Sequence, residues 1–214
     1  TRSLSIGPQT RVMQYDPSAD GHYRYSVGDD FLPPDQMREV ETIGKLVNAF
    51  FRWEFNSCEV IVKDGEAHPI DYANASPDMA LVSLHYYFPW AIQALAAWCM
   101  FCAATDRRMR VNQNTRDYFQ VGDGDLPYDE KLERYRRLAE NYFQSELFEE
   151  FRAEALPHLE EATVDYVESP EFDRLIVEVI QTEEPEEKQE RLIERSRTAV
   201  AAWAADRRAA PARR

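Results

Sequence analysis

Cysteine is scarce in this chain: Cys58, Cys99 and Cys102 are the only three in 214 residues. Three thiols cannot all pair, and each stands in apolar surroundings, which argues for free thiols in a reducing compartment, the cytoplasm. Basic residues are outnumbered as well, Lys plus Arg at 25 against Asp plus Glu at 39, for a net charge of −14. A chain this acidic repels nucleic acid and anionic lipid, so neither is an expected partner. No secretory signal pattern opens the sequence. The longest apolar run, Phe88 to Ala104, is interrupted by Gln93 and is short for a bilayer, so it reads as a buried core helix. Cys99 and Cys102 have redox-pair spacing, but they sit inside that apolar run with no strand before them, as core thiols do. Two cysteines are also too few for a zinc site. Internal repeats are absent. His22, His68, His85 and His158 are scattered, and no Ser/His/Asp grouping emerges. The dense aromatics beside His85 (Tyr86, Tyr87, Phe88 and Trp90) are accounted for by packing.

What is present is a globular composition, 44% hydrophobic and 30% charged, long enough to bury a core. Residues 3 to 15, with Gly7 and Pro8 inside, predict two short strands or one bent strand. "LPPDQMREVETIGKLVNAFF" predicts a helix: Pro34 sits near its first turn, Asp35 complements its dipole, and Met37, Val40, Ile43, Val47 and Phe50 form one apolar face. Residues 52 to 62 predict a strand, "KDGE" a hairpin turn, and "AHPIDY" the return strand. Pro69 places that return strand at a sheet edge. From Pro127 onward the composition turns to charged helix. One stripe holds Leu132, Tyr135, Leu138 and Tyr142. A helix opens at Ser169-Pro170, and another carries Leu192, Ser196, Val200 and Trp203 on one side. The basic run 207–214 reads as a frayed tail. The expected organisation is an α+β part over 1–126, an antiparallel sheet with packed helices, followed by an all-helical extension over 127–214. That extension either packs on the core or mediates self-association.

The hairpin carries the candidate chemistry. Glu59 lies in the first strand, and Asp71 and Asn74 end the second. A two-residue loop, Asp64-Gly65, pairs Val62 with Ala67, sets Cys58 opposite Asp71 and sends Glu59 to the other face. A three-residue loop from Lys63 pairs Val62 with Glu66 and puts Glu59 and Asp71 on one face. The sequence permits both. Asn74 follows Asp71 by three residues, so the strand must break or bulge at Ala73 for both to point one way. Two carboxylates and an amide oxygen are hard ligands suited to Mg²⁺ or Mn²⁺.

The run from Arg52 to Asp78 resembles the last two strands of the ATP-grasp fold. It carries Asn56-Ser57-Cys58-Glu59, Asp64-Gly65, Ile70-Asp71 and Asn74-Ala75-Ser76-Pro77-Asp78. The upstream "IGPQTRVMQYDP…HYRY" is similar to one branch of that superfamily. The resemblance implies metal ligation by Glu59, Asp71 and Asn74, with Ile70 as an apolar floor under adenine. It also implies Arg11 and Arg24 as contacts to phosphate or acyl-phosphate, although a surface salt bridge accounts for each arginine equally well. It implies ATP and Mg²⁺ (or Mn²⁺) as cofactors. The implied activity is carboxylate activation through an acyl-phosphate, then ligation to an amine or thiol. The Asp71-to-Asn74 spacing is one residue longer than the commoner Glu-x-Asn of that superfamily. The nucleotide-gripping lobe is not identifiable before Thr1, so the expectation is a C-terminal portion of a longer enzyme or a reduced form. A non-catalytic scaffold, whose helical extension binds a partner or self-associates, is the alternative.

Overall fold

The computed structural model describes residues 1–28, 30–108 and 114–209. The chain is α+β, with one antiparallel sheet and a majority of helix. It divides into two compact units that interleave along the sequence: Thr1–Pro17, Ser26–Pro77 and Trp98–Ala155 make the first, and Ser18–Tyr25, Asp78–Ala97 and Leu156–Arg214 the second.

In the first unit, β1 (Arg2–Ile6) and β2 (Gln9–Tyr15) form a hairpin around Gly7-Pro8. Two strands rather than one bent strand therefore fill the N-terminal segment. β4 (Phe55–Lys63) pairs antiparallel with β1, and β5 (Glu66–Asn74) pairs with β4. The sheet order is β3-β2-β1-β4-β5, to which the two-residue β3 (Tyr25–Ser26) contributes Ser26. β5 is thus an edge, as Pro69 within it requires.

Helix α1 (Pro34–Phe51) starts with Pro34 in its first turn, where no N–H is needed. Its buried Val40 and Ile43 meet Val12, Cys58 and Val60, with Met37 and Val47 packed at the margin. α1 therefore covers one face of the sheet. α4 (Arg116–Asp123), α5 (Tyr128–Phe143) and α6 (Ser145–Ala155) complete this unit.

The second unit holds α2 (Leu81–Leu84), the first part of α3 (Phe88–Ala104), α7 (Leu159–Val167), α8 (Pro170–Glu183) and α9 (Glu186–Ala209). Ser169 caps α8 by accepting from the Phe172 N–H at 3.2 Å, with Pro170 at the first helical position. Leu192, Ser196, Val200 and Trp203 are the buried side of α9, in accord with their spacing. The last five residues of the C-terminal basic run lie outside the described residues. One stretch, Leu81–Ala104, is long and apolar enough to cross a membrane by length and composition. Its Tyr87, Ala91, Ala94, Trp98 and Phe101 are buried, but Leu95, Cys99 and Met100 are exposed, so the stretch is buried on one side only and Cys99 is not the core thiol its apolar surroundings suggest.

Candidate functional site

The β4–β5 turn is Asp64-Gly65, and both residues have positive φ, 53° and 86°. Asp tolerates this region and Gly enters it freely, the pattern of a two-residue type I′ turn. Val62 accordingly pairs with Ala67 and Lys63 with Glu66. This is the shorter of the two loops the sequence permits. In an uninterrupted ladder it would separate Glu59 from Asp71.

The ladder is interrupted twice. Val60 pairs with Pro69, but Glu59 pairs with Asp71, so Ile70 is an extra residue and forms a bulge. Ser57 then pairs with Asn74, so Tyr72 and Ala73 together oppose Cys58. The irregularity expected at Ala73 is present. The requirement for a three-residue loop is corrected: one bulged residue shifts the register by one, and a one-residue shift is what moves a side chain between faces.

Cross-strand partners share a face. On the face opposite α1, the register gathers Arg11, Met13 and Tyr15 of β2, Arg2 and Leu4 of β1, Ser57 and Glu59 of β4, and Asp71 and Asn74 of β5. Four of the sequence-predicted residues, Arg11, Glu59, Asp71 and Asn74, therefore share one sheet face. Arg2 was not among the expected residues, yet it lies at the centre of this group. Its guanidinium is 3.9 Å from Glu59 Oε1 and donates to Ser57 Oγ from Nε (3.3 Å) and Nη2 (3.1 Å). It also stands 5.5 Å from the centre of the Tyr15 ring. One orientation of the Asn74 amide satisfies both of its ends. Its nitrogen donates to the Ser76 carbonyl at 3.2 Å, and its oxygen accepts from Arg2 Nη2 (3.1 Å) and Ser57 Oγ (3.2 Å).

The two carboxylates act on one neighbourhood. Cys58, the chain neighbour of Glu59 on the α1 side of the sheet, has its thiol pushed up to about 12 by burial first, then by Asp71 and Glu59. Glu59 is partly buried and Asp71 exposed.

The remaining expected residues sit apart from this cluster. Ile70 occupies the bulge on the edge strand and is 57% exposed. Arg24 belongs to the second unit, where its Nε donates to the Ala19 carbonyl at 3.2 Å.

The donor set fits a hard divalent cation by its chemistry: two carboxylates and an amide oxygen, with no sulfur or imidazole among them. Among the described residues, no three of His, Cys, Asp and Glu gather closely enough to hold a metal by themselves. A cation here would complete its shell with water or with ligand oxygens. Comparison with family models, with curated proteins and with solved structures returned no match.

Proposed function

We propose that the first unit is the C-terminal, metal-holding part of an ATP-grasp ligase. Such an enzyme passes the terminal phosphoryl group of ATP to a carboxylate. An amine or thiol then attacks the acyl-phosphate and releases inorganic phosphate. The observation that supports this reading is the doubly bulged β4–β5 ladder, which sets Glu59 against Asp71 and Ser57 against Asn74 on one face. Bulges interrupt pairing and recur beside functional sites, where they re-aim side chains.

In this reading Glu59, Asp71 and the Asn74 oxygen hold Mg²⁺ or Mn²⁺. The bound cation would supply charge neutralisation for the phosphate oxygens. Ser57 holds the Arg2 guanidinium once the Asn74 oxygen turns from it to the cation, and Arg2 and Arg11 on the neighbouring strands would donate to phosphate oxygens. Glu59 exchanges its contact with Arg2 for the cation, which frees the guanidinium fork for the nucleotide. Ile70 and Arg24 have no part in this cluster and enter the proposal only as contacts supplied by the complete enzyme.

The test is calorimetric titration of the 214-residue chain with Mg²⁺ and a non-hydrolysable ATP analogue, beside Glu59→Ala and Asp71→Ala. Saturable binding by the parent chain, lost in both variants, is expected. Equal affinity in all three proteins would sink the assignment.

A further inference from the structure

In the first unit, Arg107 carries a guanidinium that is almost wholly buried. The residue follows α3, and its backbone N–H closes that helix on the Cys102 carbonyl at 2.9 Å. Its side chain is 6% exposed and lies over two aromatic rings, 5.0 Å from the centre of Trp98 and 5.2 Å from that of Tyr142. Nη2 reaches Glu54 Oε1 (3.4 Å) and the Tyr142 carbonyl (3.0 Å), and Nη1 donates to Gln144 Oε1 (3.1 Å). Glu54 Oε1 also accepts the Tyr142 hydroxyl at 2.9 Å.

Three polar atoms at this contact have no partner among the described residues, and each is closed to solvent: Arg107 Nε, Glu54 Oε2 and the indole Nε1 of Trp98. Trp98 as a whole is 4% exposed. Each atom belongs to the Arg107 guanidinium or to a group in contact with it, which makes the three neighbours. Burial without a hydrogen bond is costly for any one of them, and folded proteins leave few such groups. Three in one place point to a bound molecule that serves them together.

Their chemistry selects that molecule. Arg107 Nε–H and Trp98 Nε1–H donate, and the Glu54 oxygen accepts. A metal or ammonium ion would suit Glu54 but offers nothing to two N–H groups. An anion would suit the N–H groups but would face the Glu54 carboxylate. A neutral hydroxyl satisfies all three by accepting twice and donating once. Because every one of the three atoms is closed to solvent, that hydroxyl belongs to a very small molecule. Water, which makes about three hydrogen bonds in protein interiors, meets these terms.

We propose that Trp98, Arg107 and Glu54 bind one internal water, which ties the end of α3 to the start of β4. This site is independent of the proposed metal site. The test is NMR of the isotope-labelled full chain, with the Nε1–H resonances of its four tryptophans assigned through bonds. Trp98 Nε1–H should show a cross-peak at the water frequency with NOE and ROE of opposite sign, the signature of a water that tumbles with the protein. Absence of that cross-peak overturns the proposal. Exchange through the Tyr142 hydroxyl would imitate the signal, so the cross-peak should persist in Tyr142→Phe. Its loss in that variant, folded, overturns the proposal equally. If Tyr142→Phe fails to fold by circular dichroism, a crystal structure of the parent chain decides. Density for one water within about 3.2 Å of Trp98 Nε1, Arg107 Nε and Glu54 Oε2 is expected there, and no such density overturns the proposal.

Discussion

Arg2 concentrates the residue-scale question. It supplies positive charge beside Glu59, and it is held by Ser57 and Asn74 rather than by Glu59 alone. Replacing it with glutamine removes the charge but keeps a donor for Ser57. Glu59, partly buried, then faces Asp71 across the ladder with no guanidinium between β1 and β4. The expected cost is about 1 kcal/mol, the usual size for a partly buried charge-assisted contact. If Glu59 and Asp71 hold a divalent cation, Mg²⁺ should restore that loss. Urea midpoints of Arg2→Gln and of the parent chain, each with and without MgCl₂, decide it. A larger Mg²⁺ shift in the variant is expected, and identical shifts would show that Arg2 does not share the cation's place. The acids of this cluster were legible in the sequence because residue type and strand-end position are local facts. Arg2 was not, because it meets Glu59 only through the β1–β4 pairing of segments far apart in the chain. The one available signal was alternation: Arg2, Leu4 and Ile6 share a face, so Arg2 lies on whichever side β1 presents to Glu59.

At the scale of elements, the boundaries that rest on local chemistry were readable. Pro34 opens α1, Ser169-Pro170 opens α8, and Asp64-Gly65 makes the hairpin turn. The bulge at Ile70 was not readable, because a bulge records which ladder bonds two strands choose to break, and no single residue type demands one. The β1–β2 turn shows how tightly such local devices are tied to packing. Gly7 has φ +55°, and a Cβ there would lie 2.3 Å from Trp98 Cδ2. Both the left-handed backbone and the indole face exclude a side chain. Gly7→Ala must push the buried Trp98 ring away or reshape the turn, at about 3 kcal/mol by the usual scale of overpacking plus backbone strain. A fall in the urea midpoint without change in slope is the expected result. A midpoint equal to the parent's would mean that the turn and the indole are free to move apart.

For the whole molecule, composition foretold the α+β class and the helical C-terminal part, but not how the units interleave. The shift to charged helix at Pro127 coincides with the start of α5, yet α5 and α6 belong to the unit that holds the sheet. Membership in a compact unit is set by contacts between distant segments, and those leave no mark on local composition. The second unit carries the molecule's clearest titrating switch. His85 is 4% exposed, has φ +36°, and its Nε2 lies 3.2 Å from the Tyr25 carbonyl, so the neutral ring donates there. Burial, then the charge of Arg195, lowers its pKa from 6.5 to about 4, against a smaller opposing effect of the Tyr25 bond. Above pH 6.5 both folded and unfolded chains hold a neutral imidazole, and this group makes no contribution to pH dependence. As pH falls from 6.5 toward 4, the unfolded chain takes up a proton that the folded chain refuses, so stability declines across that window. The full loss is on the order of 3 kcal/mol. Glu133, held down to about 2 by Arg136 and Arg137, adds its own loss as pH falls from about 4.5 toward 2, at the lower edge of this window, and does so alike in the parent and in a His85 variant. His85→Gln offers a donor for Tyr25 but cannot protonate. Urea stability measured from pH 7 down to 4.5 should therefore slope less steeply in the variant than in the parent. Parallel slopes would mean that the proton uptake driving acid destabilisation occurs elsewhere in the chain.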